Sequence, residues 1–230
     1  MAKNLIETKE IVKQRKAFLF DFDGTLANLD NLNVHSFEIL LEKDFNLDFT
    51  RDDFMNYVSG RGSKDGITAY LKSKGKKDFD TEKLGKRFNQ VKRELLSSNL
   101  EKEVFIIPGL EKFLIYLKEN NKRMVVVTSF NYDYVKEVLE HFKLFDYFEK
   151  VYDRGTVENS KPHPEMFLQA IEYTQLRKEQ CIAFEDSLFG LKSAKSAELF
   201  TIGILNKGWN DKFVYDLADI VIESYEELLD

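Results

Sequence analysis

Cysteine is nearly absent from this chain, with one residue, Cys181, among 230. No intramolecular disulfide can form, so stability has to come from packing. Cys181 sits in the apolar run Cys181-Ile182-Ala183-Phe184, where a buried structural thiol is expected, and a reducing cytoplasm suits it. Proline and glycine are scarce as well, at 3 and 11 residues, which excludes long disordered or linker tracts. No apolar run approaches the roughly 18 residues of a membrane span, and Met1 to Lys16 is polar and charged, without the apolar centre of a signal peptide. A soluble cytoplasmic protein that does not enter the membrane is expected. The 3 histidines, His35, His141 and His163, are scattered and form no metal-ligand cluster, and a structural role is favoured for His163. Positive charge is in deficit, with 34 Lys and Arg against 40 Asp and Glu, a net charge of −6. Nucleic acid is therefore a poor partner, although a local cation and a metal ion can still reverse the potential inside an anion site.

What is present suits a packed α/β protein. The composition is 43% hydrophobic, and the length suffices for one core domain of about 100–200 residues plus a smaller one. Short apolar runs of strand length occur at Ala17 to Phe22, Met124 to Val127, Cys181 to Phe184 and Phe200 to Leu205, with a weaker one at Ile220 to Ile222. Between them, apolar residues recur at helical spacing: Leu110, Phe113, Leu114 and Leu117, then Val135, Val138, Leu139 and Phe142, then Met166, Phe167, Ala170 and Ile171. Strands alternating with amphipathic helices predict an α/β fold with a parallel sheet covered on both faces. Such strands read as continuous apolar runs because both faces are buried.

The stretch from Asn33 to about Asn99 breaks the alternation. It is polar and helical, with no convincing strand before Met124, and predicts an inserted helical domain. Thr50-Arg51-Asp52-Asp53 resembles a capping box ahead of Phe54, Tyr57 and Val58, while Phe88, Val91 and Leu95 mark another helix. Ser59-Gly60-Arg61-Gly62-Ser63 reads as a glycine-punctuated turn. The expected division is a core of residues 1–32 and 104–230 around an inserted helical domain of residues 33–103. Trp209, in an expected loop after Lys207-Gly208, has no assignable role.

The segment Phe18-Leu19-Phe20-Asp21-Phe22-Asp23-Gly24-Thr25-Leu26 runs an apolar strand into two carboxylates and a glycine. Strand alternation predicts Asp21 and Asp23 on one side and Phe22 on the other. Acids at the carboxyl end of a parallel strand stand where open α/β sheets bind ligands. Two like charges this close call for a cation, and magnesium, which prefers oxygen donors, is the natural candidate.

Asp21-Phe22-Asp23-Gly24-Thr25 resembles the first signature of the haloacid dehalogenase superfamily of phosphatases and phosphomutases. Three further motifs follow in the family's order: Thr128 after Met124-Val125-Val126-Val127, Lys161 in Ser160-Lys161-Pro162-His163-Pro164-Glu165, and Glu185-Asp186 followed by Ser187 and Gly190. Four motifs in order are a specific signal where one alone is modest. The resemblance implies a Rossmann-like α/β core with a helical cap inserted after the first motif, and a magnesium-dependent phosphohydrolase in which Asp21 takes up the phosphoryl group and Asp23 serves as general acid and base. It also implies Asp21, the Asp23 backbone carbonyl and Asp186 as metal ligands, with Glu185 behind them. Thr128, through hydroxyl and backbone N–H, and Ser129 are the expected phosphate donors, and Lys161 the cation that offsets charge on Asp21 and the phosphoryl group.

The cap resembles those of phosphoglycolate-phosphatase-like and β-phosphoglucomutase-like members, so its residues are expected to select the leaving group, with Arg61 and Lys64 as candidates. β-Phosphoglucomutases carry a histidine ten residues after the second aspartate, whereas Asn33 stands there and His35 two places later. They also carry an arginine three residues after a cap glycine, where counting from Gly60 reaches Ser63. Both departures favour hydrolysis of a small phosphorylated metabolite over a sugar phosphomutase, while the intact set Asp21, Asp23, Thr128, Lys161 and Asp186 argues against an inactive binding protein. A monomer or weak homodimer is expected.

Overall fold

A computed structural model describes residues 5–58, 63–205 and 212–229. Arg61, Gly60 and Trp209 lie outside the described residues. In chain order the elements are α1 (Leu5–Gln14), β1 (Ala17–Phe20), β2 (Ala27–Asn28), α2 (Asp30–Phe45), α3 (Arg51–Asp53), α4 (Ser63–Ser73), α5 (Thr81–Glu103) and β3 (Phe105–Ile106). They continue with α6 (Leu110–Glu119), β4 (Arg123–Val127), α7 (Tyr132–His141), β5 (Lys150–Tyr152), α8 (Glu165–Thr174), β6 (Cys181–Glu185), α9 (Leu188–Ser196), β7 (Phe200–Ile204), α10 (Lys212–Leu217) and β8 (Ile220–Ile222). Two compact units emerge: Met1–Asn28 with Ile106–Asp230, and Leu29–Phe105.

The larger unit is built on a six-stranded sheet of order β5-β4-β1-β6-β7-β8, with every pair parallel. From β1 the chain winds outward through β4 to β5, then returns past β1 to β6, β7 and β8. Strand β1 is therefore central, with Phe20 level with Val126 of β4 and Phe184 of β6. The reversal of winding lies beside it, and open α/β sheets bind ligands beyond the carboxyl ends of the strands at such a point.

Period-two alternation separates two core layers. Ala17 and Leu19 point with Val125, Val127, Cys181 and Ala183 toward Met166, Phe167 and Ala170 of α8. Phe18 and Phe20 point the other way, into an aromatic layer in which Phe20 stacks on Phe184 at 4.8 Å and Phe18 meets the edge of Phe113 at 6.0 Å. Cys181 is buried and free, as its apolar run suggests.

Three expectations change. Regular strand geometry ends at Phe20, two residues short of the apolar run. The Phe22 carbonyl accepts from the backbone N–H groups of Thr25, Leu26 and Ala27, so a turn, and not pleat alternation, places Asp23. Strand β5 carried no signal because only Val151 of its three residues, Lys150–Tyr152, is buried, so no apolar run marks it. Strands β2 and β3, each of two residues, flank the stretch that read as strand-free.

The smaller unit is helical and has its own core, in which Phe37 packs on Phe88 at 4.5 Å and on Phe49 at 5.2 Å, and Phe49 on Tyr70 at 4.9 Å. The capping box forms: Thr50 Oγ1 accepts from the Asp53 N–H at 3.2 Å and Asp53 Oδ2 from the Thr50 N–H at 3.0 Å. The helix it starts then widens into a π-helix over Phe54–Val58. Among the described residues no helix is long and apolar enough to cross a membrane.

Candidate active site

Strands β1, β4 and β6 are neighbours, and Asp21, Thr128 and Asp186 follow their carboxyl ends directly. The ladder continues past the strands, with the Asp21 N–H donating to the Phe184 carbonyl at 3.0 Å. Three motifs far apart in sequence thus converge because parallel strands end on the same edge.

The fourth arrives on the loop between β5 and α8. That loop is pinned from both sides: the Glu165 carboxylate accepts from the N–H groups of Glu158 at 2.8 Å and Asn159 at 3.0 Å, and Ser193 Oγ on α9 donates to the His163 carbonyl at 2.7 Å. The His163 ring also takes part, its Nδ1 accepting from the Glu165 N–H at 3.3 Å, and Pro164 is the residue that precedes α8. Lys161 is consequently no solvated surface group. Its side chain is 4% exposed, and Nζ donates to Asp21 Oδ1 at 2.6 Å, Val127 O at 2.7 Å and Glu185 Oε1 at 2.5 Å. Three ammonium protons meet three acceptors. The ammonium also lies 5.2 Å from the ring centre of Phe167, a cation–π contact that no sequence signal marked.

Glu185 is buried with no exposed surface. Oε1 takes the lysine, while Oε2 accepts from the N–H groups of Asp186 at 3.1 Å and Ser187 at 3.2 Å and from Ser187 Oγ at 3.1 Å. The carboxylate therefore anchors the first turn of α9 and orients Lys161 together. Gly190 explains itself here: a Cβ at that position would stand 1.9 Å from the Glu185 carboxyl. Gly24, at φ 84°, supplies the left-handed residue that lets the chain fold back after Asp23.

The charges are unbalanced. Among the described residues, Asp21, Asp23, Glu185 and Asp186 face one ammonium, Lys161, so full ionisation of this group leaves four minus one, a net −3. Burial first, then the Glu185 charge, pushes Asp21 up to about 7 from 3.8, against the pull of Lys161. Burial first, then the charges of Glu185, Asp21 and Asp23, likewise raises Asp186 well above its ordinary value. Burial works to lower the Lys161 value, but Asp21 and Glu185 outweigh it and keep the ammonium protonated. Oxygens of Asp21, Glu185 and Asp186 all lie within 4.8 Å of one another. An all-oxygen, over-negative cluster fits a hard divalent cation, which would relieve the excess charge.

Thr128 is fully buried, and one expectation for it is corrected. Its N–H already donates to the Tyr152 carbonyl at 2.9 Å, extending the ladder, so only the hydroxyl remains to meet a phosphate. That oxygen accepts from the Phe130 N–H at 3.1 Å, which leaves its proton to give. Ser129 is exposed next to it. Thr25, singled out only as part of the first motif, is also buried and brings Oγ1 within 3.5 Å of Asp186 Oδ1. Lys64 is exposed on α4 in the smaller unit and forms an ion pair with Glu82.

The comparisons agree with this geometry. A family model described as haloacid dehalogenase-like hydrolase matches residues 18–204, more than half of the chain. The Bacillus subtilis protein named "Putative phosphatase YhcW" is 31% identical over 199 residues, covering 84% of each chain. The Thermotoga maritima "Phosphorylated carbohydrates phosphatase" is 26% identical over 215 residues, covering 93% of this chain and 96% of that one. Among solved structures, CbbY from Rhodobacter sphaeroides in complex with phosphate superposes with a TM-score of 0.77 at 23% identity, covering 93% of this chain and 96% of that one, which attests the fold. On its motifs, its sheet and the match across residues 18–204, the chain belongs to the haloacid dehalogenase-like hydrolase family.

Proposed function

We propose that this enzyme, a phosphatase of its family, hydrolyses phosphomonoesters of small metabolites through a phosphoryl group carried on Asp21. The observation that carries the reading is Lys161, a buried ammonium shared between Asp21 and Glu185 at the carboxyl edge of the sheet. It holds Asp21 in place and supplies fixed positive charge where negative charge grows during transfer.

In the first displacement a carboxylate oxygen of Asp21 bonds to phosphorus as the bond from phosphorus to the leaving oxygen breaks. Asp23 gives its proton to that oxygen. In the second, Asp23 takes a proton from water, the water oxygen bonds to phosphorus, and the Asp21 carboxylate leaves. One carboxyl thus serves both steps, and inorganic phosphate is released. The Thr128 hydroxyl, with Ser129, donates to the phosphoryl oxygens, and Lys161 offsets their charge. The Asp21 and Asp186 carboxylates and the Asp23 backbone carbonyl would hold magnesium, with Glu185 behind them; when bound, the ion neutralises phosphate charge and screens the acids from one another. Arg61 and Lys64 are proposed to select the leaving group. A cytoplasmic monomer or weak homodimer completes the reading, consistent with the buried free thiol of Cys181.

The test is release of phosphate from sugar phosphates, nucleotides, phosphoglycolate and a generic aryl ester, with magnesium and with a chelator. Magnesium-dependent release together with a phosphorylated Asp21 peptide in acid-quenched protein is expected. No release from any ester in the presence of magnesium would remove the reading. Isomerisation of β-glucose 1-phosphate to glucose 6-phosphate without free phosphate would replace it with the mutase alternative.

A further inference from the structure

Near the carboxyl terminus, the short 3-10 helix Tyr225–Leu228 delivers a side chain to the catalytic edge of the sheet. Tyr225 is fully buried, and its ring lies among Phe113 at 5.2 Å, Phe184 at 5.5 Å and Phe20 at 6.2 Å. Phe20 and Phe184 directly precede Asp21 and Glu185. The hydroxyl donates to the backbone carbonyl of Thr25 at 3.1 Å. Thr25 in turn places Oγ1 3.5 Å from Asp186 Oδ1 and belongs to the turn that displays Asp23.

The helix is clamped to Pro108, whose neighbour Ile107 donates its N–H to the Leu26 carbonyl of that turn at 3.1 Å. The Tyr225 N–H donates to the Pro108 carbonyl at 3.0 Å, Ser224 Oγ donates to the same carbonyl at 3.1 Å, and Ser224 also caps the helix by accepting from the Glu226 N–H at 3.1 Å. Core filling needs only the ring, since phenylalanine has nearly the same shape and buries no polar group. A hydroxyl taken out of water is costly unless paired, and this one is paired with the turn and with nothing that packing requires. Burial and the charges of Asp186 and Asp21 push its pKa well above the ordinary value, which keeps it a donor.

We propose that Tyr225 is a positioning residue: through the Thr25 carbonyl its hydroxyl holds the Asp23–Thr25 turn so that the Asp23 carbonyl and the Asp186 carboxylate keep the spacing magnesium needs. The proposal rests on the reading of Asp21, Asp23 and Asp186 as magnesium ligands. Magnesium tolerates little departure from octahedral geometry, and groups that orient its ligands commonly change affinity by about 10–100-fold when removed. The residue lies 200 positions from its partner in sequence, and nothing in a linear reading connects the two.

The experiment compares wild type, Tyr225→Phe and Leu228→Ala. Magnesium binding is titrated by calorimetry, melting is followed without the metal, and kcat and KM for an aryl phosphate are measured at limiting and saturating magnesium. Leu228, from the same helix and 3% exposed, reports on loss of packing alone. Tyr225→Phe is expected to bind magnesium about tenfold more weakly and to regain most of its kcat when magnesium saturates. Leu228→Ala should melt earlier yet bind magnesium within about twofold of wild type. Wild-type affinity in Tyr225→Phe would overturn the proposal. So would equal weakening in Leu228→Ala, which would make the segment a matter of stability only, or a Tyr225→Phe chain that fails to fold. Absence of magnesium binding by wild type itself would instead sink the ligand assignment beneath it.

Discussion

At the scale of single residues, Asp21 carries the largest consequences. Replacing it with asparagine keeps the shape and removes the nucleophilic charge, so Asp21→Asn should lower turnover of an aryl phosphate by at least about three orders of magnitude while the far-ultraviolet circular dichroism stays unchanged. Wild-type rates in that variant would end the nucleophile assignment. The same pair of proteins reads the electrostatics. The fold raises Asp21 to about 7 from 3.8, so the folded chain holds this proton more tightly than the unfolded one. Its contribution to metal-free stability is therefore full below pH 3.8 and is lost as pH rises through 7. The melting temperature of metal-free wild type should fall relative to Asp21→Asn across that window, and magnesium should close the gap. A difference between the two that stays constant with pH would show that burial does not hold the proton on Asp21. The identities of Asp21, Asp23, Lys161, Glu185 and Asp186 were legible in the motifs. The use of the Thr128 N–H was not, because a backbone donor gives no sign in sequence of which carbonyl it will meet.

At the scale of elements, the join of β6 to α9 couples stability to chemistry. Ser187 caps the helix, its Oγ accepting from the Gly190 N–H at 3.0 Å, and also donates to Glu185. Ser187→Ala should cost about 1 kcal/mol in urea denaturation. Gly190→Ala is the sharper test, since the added methyl would overlap the Glu185 carboxyl at 1.9 Å. Relief requires moving either the helix or the carboxylate. We expect a loss of about 2 kcal/mol and a fall in kcat as Glu185 is driven off Lys161. Unchanged kcat beside lowered stability would separate Glu185 from the orientation of Lys161. Four of the strands of the sheet were visible as apolar runs and a fifth more weakly. Strand β5 was not, since it pairs with β4 through Lys150, Val151 and Tyr152, of which only Val151 is buried, and that leaves no apolar run to read.

At the scale of the whole molecule, the chain divides into a unit that holds the acid cluster and a helical unit with an aromatic core of its own. Lys64 tests what the second contributes. Its pair with Glu82 is exposed, so Lys64→Ala should leave stability within about 0.5 kcal/mol of wild type. If Lys64 selects the leaving group, KM for the preferred metabolite should rise severalfold while KM for a small aryl phosphate holds. Equal values for both esters would retire it as a specificity residue. Local patterning by itself determined a great deal here: apolar runs and helical spacing specify a layered parallel α/β unit, because burial on both faces imposes those periods. Four short motifs specify the family, because each chemical role demands a particular side chain at the end of a particular element. Only the tertiary structure decided that Lys161 is buried between Asp21 and Glu185, that a turn and not a strand presents Asp23, and that Tyr225 reaches Thr25. Those outcomes depend on strand order and on contacts between distant segments, and the free energy of such contacts is set by geometry that no local run of residues encodes.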